Sequence, residues 1–239
     1  MDIASKPSKK AHRGLAMEGM LATWYAKNTA NDLPEFEACA RRIAEHLGAG
    51  SHVLEIAPGP GYLAIALAKL GPYRIAGLDI SRSFVRMAAD NAARAGVEVE
   101  FRYGDAAAIP DPAETFDFIV CRAAFKNFGD PVGALREMHR VLQPGGKALI
   151  IDMRNDASNE AIDDKVDEMK LGRMSSFITR AIFKYSLRKR AYSRADFQRM
   201  AAATPFGSAD IREEPLGFVV GRVRVGYGWG RFDQSDGRS

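Results

Sequence analysis

The sequence predicts an α/β fold: a mostly parallel sheet of seven strands with an antiparallel last strand, helices on both faces and a helical cap. Three observations carry this. Between His52 and Asp152, short β-branched or apolar runs alternate with helical stretches, the rhythm of βαβ units and a parallel sheet. Right-handed crossovers then put helices on both faces. Helical patterns without strands precede the first run and follow the fifth, which supplies the cap. The chain has 239 residues, 46% apolar and 27% charged, enough for one well-buried domain and too apolar for general disorder.

In order, residues 1–14 are basic and polar and read as a flexible start. Residues 15–47 hold two cap helices. In the first, Met17, Met20, Leu21, Trp24 and Tyr25 recur at three to four residue spacing from Leu15 to Lys27. The second runs from Glu35 to Leu47 and is stopped by Gly48 and Gly50. The core, 48–153, follows: strand His52–Ile56, an alanine-rich helix Tyr62–Leu70, strand Arg74–Ile80, and a helix capped by Ser81 and running to Ala95. Strands Val97–Tyr103 and Phe116–Cys121, helix Pro131–Leu142 and strand Lys147–Asp152 complete it. A helical insertion or lid spans 154–205, its last helix starting near Arg194 behind a Ser193 cap. C-terminal strands occupy 206–225 and a mobile tail 226–239.

Composition narrows the function. The longest strictly apolar run, Leu63–Ala68, falls far short of the roughly 18 residues that cross a bilayer. The start shows no apolar signal segment. Cys39 and Cys121 lie far apart without metal-like spacing, so neither a disulfide framework nor a Cys zinc site organises the chain, and a cytoplasmic location is expected. The net charge of +4 is local in origin: Asp152–Glu168 carries seven acids and two bases, Arg173–Arg199 eight bases and one acid.

The site-bearing motif is Glu55-Ile56-Ala57-Pro58-Gly59-Pro60-Gly61, between a strand and a helix. Its glycines let the backbone turn sharply and approach a ligand. Asp79 ends the next strand, where an acid can accept hydrogen bonds from both ribose hydroxyls of an adenosine cofactor. Gly59-Pro60-Gly61-Tyr62-Leu63-Ala64 also fits the dinucleotide fingerprint, so loop and acid alone leave a nicotinamide-dependent oxidoreductase open. Glu55 argues against it: a pyrophosphate wants an electropositive helix start, whereas a carboxylate suits a cationic ligand end. Gly104-Asp105-Ala106 places an acid where an adenine amino group could be met, and Gln143-Pro144-Gly145-Gly146 punctuates the way into the fifth strand.

With these stretches in order over residues 50–153, the chain resembles the class I S-adenosylmethionine-dependent methyltransferases, a Rossmann-like family. Its later motifs are similar to the branch containing the ubiquinone and menaquinone biosynthesis methyltransferases. One departure is Ala57, where the family's glycine motif usually begins with glycine. The resemblance implies S-adenosyl-L-methionine as cofactor. Ala57, Gly59 and Gly61 would pass its methionine part, Asp79 would hold the ribose and Ile80 would pack on adenine. Asp105 and Ala106 would meet the adenine edge, Arg122 would line the methionine side, and Glu55 would face the cationic end. It implies methyl transfer to a small molecule through oxygen, nitrogen or carbon, releasing S-adenosylhomocysteine. A non-catalytic binder of the cofactor is a further reading. The residues after the fourth strand, Cys121-Arg122-Ala123-Ala124, lack the pattern of enzymes that methylate base amino groups, so no nucleic acid is expected.

No residue stands out as the catalytic base. Tyr25, Lys126 and Asn127 are candidates by position, with Asp152 and Arg154 after the fifth strand. His12, His46, His52 and His139 read as surface or packing residues. No metal ligand set is present. An aromatic or isoprenoid-like acceptor is favoured by Met17, Met20, Trp24 and Tyr25 in one cap and Met174, Phe177 and Tyr185 in the other. In Arg173–Arg190, Met174, Ile178, Ala181, Ile182 and Tyr185 share one helix side, Arg180, Lys184 and Arg188 form an adjoining stripe, and Phe183 points away. A lid or insertion helix packed on the domain is the favoured reading; the alternative is a lid over the substrate that also touches an anionic membrane, as a peripheral contact, or an acidic substrate. The oligomeric state is open, a homodimer included.

Overall fold

The computed structural model describes residues 18–29, 32–168, 172–213 and 217–223. The expected flexible start 1–14 and mobile tail 226–239 lie outside the described residues. The elements are α1 (Gly19–Thr29), α2 (Leu33–Ala44), β1 (His52–Ile56), α3 (Tyr62–Ala68), β2 (Arg74–Asp79), α4 (Arg82–Ala95), β3 (Glu100–Tyr103), β4 (Phe116–Arg122), α5 (Pro131–Val141) and β5 (Leu142–Met153). Then come α6 (Asn159–Glu168), α7 (Arg173–Ala181), a π-helical stretch Ile182–Leu187, α8 (Arg188–Arg190), α9 (Arg194–Ala202), β6 (Asp210–Glu213) and β7 (Gly217–Val223).

The sheet order is β3-β2-β1-β4-β5-β7-β6. The first five strands pair in parallel; β7 runs antiparallel to β5, and β6 antiparallel to β7. Strand alternation splits the core into two layers. Val53, Phe118, Val120 and Leu149 face Ala40 and Ile43 of α2 and Leu63 and Leu67 of α3. Leu54, Ile56, Ile119, Cys121 and Ile150 face Ala134, Leu135 and Met138 of α5 and Phe197 of α9. Ser81 caps α4 through the Phe84 N–H, and Ser193 and Asp196 form a reciprocal capping box on α9.

Three differences from the sequence reading have physical causes. The fifth strand starts at Leu142 rather than Lys147, because Leu142 pairs with Phe116 before the Pro-Gly-Gly turn and the register shifts between Phe116 and Phe118. The third strand starts at Glu100 rather than Val97: Gly96 ends α4 left-handed at φ 67° and the Val97 N–H still bonds back to Ala92. The basic stretch sits the opposite way round. Arg180 and Lys184 reach down to Asp163 and Asp167 of α6, and Phe183 packs inward on Met153, Ile162 and Ala191. The apolar side of α7 is therefore turned outward, and Met174, Phe177 and Tyr185 are exposed.

Candidate functional site

After β1 the chain enters α3 on one face of the sheet, and after β4 it reaches α5 on the other. A crevice therefore opens at the carboxyl ends of β1 and β4, the place where open parallel sheets take their ligands. The ends of β1, β2 and β4 bring Glu55, Ala57, Asp79 and Arg122 to this edge.

The loop after β1 is shaped by left-handed backbone. Gly59 has φ 55° and Gly61 φ 81°. A side chain at Gly61 would also collide with Phe101, whose Cζ lies 2.8 Å from the Cβ position. Ala57 adopts φ 55° without being glycine, at a cost of about 1–2 kcal/mol. Its N–H donates to the Leu78 carbonyl at 2.8 Å, which ties the strained turn to β2.

Two buried carboxyls flank the loop. Glu55 Oε2 accepts the Ala64 N–H at 2.9 Å and so serves the first turn of α3, whose cap Gly61 has no side chain to offer. Burial pushes its pKa up to about 8, against the smaller opposing effects of the Ala64 N–H and Arg122. Asp79 accepts the Gly59 N–H at 3.1 Å and the Ser81 N–H at 2.8 Å, joining the loop to the start of α4. Burial raises it to about 6, while those two N–H groups pull the other way. Two desolvated acids beside a glycine loop fit a ligand that brings a cationic end and a pair of hydroxyls.

At the mouth, Arg122 bonds Glu35 of α2 at 3.0 Å and lies over the Phe36 ring at 4.2 Å. Glu35 also binds Lys165 of α6, so one carboxylate joins both helical segments to the end of β4. Tyr25 of α1 packs edge-on against Phe84, and its Cε1 lies 3.9 Å from the Cβ position of Gly59. Burial raises the Tyr25 pKa, so at neutral pH the phenol is a hydrogen-bond donor. Sequence reasoning missed Glu18. Its carboxylate accepts the Arg82 N–H at 3.0 Å and the Ser83 N–H at 3.1 Å, anchoring the entry to α1 on the start of α4. A single acid ahead of a helix carries no local signal for such a tie.

Lys126, a catalytic candidate by position, is engaged in a buried ion pair: its ammonium bonds Asp152 at 2.7 Å and the Ala123 carbonyl at 2.6 Å, and the two side chains are 5% and 1% exposed. Asp152 also accepts the Lys126 and Met153 N–H groups, both at 2.7 Å. Asn127 is half-buried and accepts from Arg190 at 3.4 Å. Arg154 pairs with Asp156 at 2.6 Å. On the adenine side, Asp105 accepts the Ala107 N–H at 2.9 Å, Ala106 is buried and Ile80 is half-buried. His52 starts β1 at the opposite edge of the sheet, its ring 4.5 Å from that of Phe116, and His139 packs on Phe206. Among the described residues no group of His, Cys, Asp or Glu is arranged to hold a metal ion. Nor is any helix there long and apolar enough to cross a membrane.

Residues 53–146 match the protein family described as a methyltransferase domain. A demethylmenaquinone methyltransferase of Deinococcus radiodurans is 36% identical over 107 residues, 44% of this chain and 44% of its own length. A methyltransferase of Bacillus subtilis, itself uncharacterized, is 31% identical over 173 residues, 71% of this chain and 60% of its own length. The chain thus spans about half the length of the curated relatives it matches. A crystal structure from Methanococcus maripaludis, described as a candidate S-adenosyl-L-methionine-dependent methyltransferase, superposes with a TM-score of 0.69 at 24% identity, covering 91% of this chain and 98% of that one.

Proposed function

We propose that this chain, a class I S-adenosylmethionine-dependent methyltransferase by its matched core, transfers a methyl group to an aromatic, quinone-type small molecule and releases S-adenosylhomocysteine. The observation that carries the reading is the pair of buried carboxyls, Glu55 and Asp79, on either side of the glycine loop. Asp79 would take the ribose hydroxyls and Glu55 the ammonium of the methionine part. Ala57, Gly59 and Gly61 would let the backbone lie against that part, with Arg122 beside it. Ile80, Asp105 and Ala106 would form the adenine side. The bound cofactor supplies an electrophilic methyl on a sulfonium. The chain's share is to hold an acceptor in line and keep water out, the source of most of the rate when no base stands beside the nucleophile.

Residues 15–47 and 154–205 are read as the cap around the acceptor. The Glu35 bridge between Arg122 and Lys165 supports this, since it joins both segments to the cleft. Tyr25 would be a cap residue touching the acceptor or the methionine part, a role its position 3.9 Å from the Cβ position of Gly59 supports. The quinone-type acceptor is suggested by the names of the demethylmenaquinone and ubiquinone/menaquinone methyltransferases among the relatives. The nicotinamide reading loses to Glu55, whose carboxyl occupies the helix start a pyrophosphate would need.

The test is turnover of S-adenosylmethionine with demethylated naphthoquinols and benzoquinols of short side chain, against amine acceptors and nucleic acid. Acceptor-dependent release of S-adenosylhomocysteine with the quinols, reduced by Asp79→Ala, is expected. Binding of cofactor with no turnover on any acceptor would leave a non-catalytic binder.

A further inference from the structure

The outward face of α7 and the π-helical stretch behind it is out of keeping with a free surface. Met174 is 74% exposed, Phe177 71%, Ile178 48%, Ile182 37% and Tyr185 70%. Spaced at three to four residues, they form one stripe. No residue of α7 is buried. Scattered surface hydrophobics are ordinary; a continuous stripe of large ones marks a contact.

The charge beside the stripe says what kind. Residues 173–190 hold six bases and no acid. Arg180 and Lys184 are answered by Asp163 and Asp167 on α6. Arg173 and Lys189 are exposed. Arg188 is held by neutral oxygens, the Ala157 carbonyl and the Asn159 amide. The remaining positive charge thus brackets the apolar stripe at both ends. A second copy placed on this face would set bases against bases.

We propose that this face of Arg173–Arg190 lies on an anionic lipid surface, with Met174, Phe177, Ile178, Ile182 and Tyr185 at the acyl boundary and Arg173 and Lys189 among the lipid phosphates. This is the geometry of an amphipathic helix lying in a membrane interface. The ion pairs to α6 fix the orientation, because they use the basic edge to hold the helix down and leave the apolar edge facing out. The docking stands on this surface alone and does not depend on the methyl-transfer reading. Since α6 lies between α7 and the Glu35 bridge at the cleft, it also places the cleft near any acceptor carried in lipid.

The experiment is vesicle flotation of the full chain with phosphatidylcholine alone or mixed with phosphatidylglycerol, at low and high salt, with binding of S-adenosylhomocysteine measured on every variant. The chain is expected to float with the anionic vesicles and to be released by salt. Phe177→Glu should weaken binding roughly tenfold or more. Each of Arg173→Glu and Lys189→Glu should weaken it by about fivefold or more. Cofactor binding should be unchanged in all three, which separates lost docking from lost folding or a failed methyltransferase assignment. Equal binding to neutral and anionic vesicles, none to either, or anionic binding indifferent to Phe177→Glu would overturn the proposal. A concentration-dependent dimer abolished by Phe177→Glu would instead assign the face to a second copy.

Discussion

Replacing Lys126 by methionine isolates the buried ion pair under the cleft. Methionine keeps most of the side-chain volume, so packing changes little. What changes is that the Asp152 carboxylate, 1% exposed, loses its countercharge, and the Ala123 carbonyl loses a donor at 2.6 Å. Breaking a buried pair on one side costs about 3–5 kcal/mol. The Lys126 and Met153 N–H groups still bond Asp152 and keep the loss toward the lower end. Lys126→Met should therefore cost about 3–4 kcal/mol, a large share of the ~5–15 kcal/mol that holds a domain together. The double variant Lys126→Met/Asp152→Leu removes both charges but orphans two amides, at about 1–3 kcal/mol each. It should stay destabilised, unlike a pair made of side chains alone. Urea unfolding followed by circular dichroism measures both. A loss below about 1 kcal/mol in Lys126→Met, together with abolished turnover, would refute the structural assignment and return Lys126 to the reacting centre.

Other outcomes follow from the same geometry. Ala57→Gly relieves a left-handed alanine but adds freedom to the unfolded chain, so stability should change by less than about 1 kcal/mol, whereas Ala57→Val should lose about 2 kcal/mol or more. Thermal unfolding decides it, and a well-tolerated valine contradicts the left-handed turn. Glu55 is raised from 4.5 to about 8, so the folded state binds more protons there between these values, and its contribution to stability is lost as pH rises through about 8. The stability difference between wild type and Glu55→Gln should therefore shift against wild type from pH 5 to pH 8; a flat difference sinks the buried-acid reading. Ser193→Ala should cost about 1 kcal/mol through loss of the α9 capping box, read by urea unfolding, and no loss would show that the box is not formed in solution.

The parallel core was legible because its signals are local. Alternating strands, the Gly59 and Gly61 turn and the Ser81 and Ser193 caps depend on residues a few positions apart. What stayed hidden is tertiary. Lys126 and Asp152 are 26 positions apart and meet only because β4 and β5 are neighbours. The outward turn of α7 was invisible because helical periodicity shows which residues share a side but not which side is held. Asp163 and Asp167 decide that from another helix. Glu18 was missed for the same reason: its partners Arg82 and Ser83 lie more than sixty residues on.

The central claim is that Glu55, the glycine loop and Asp79 form a site for S-adenosylmethionine, and calorimetric titration with S-adenosylhomocysteine, with NAD as control, tests it most directly. Micromolar binding of the first, none of NAD, and a loss of about 1.5–3 kcal/mol in Asp79→Ala, the value of charged hydrogen bonds, is the predicted result. Absence of S-adenosylhomocysteine binding, or binding indifferent to Asp79→Ala, would contradict it.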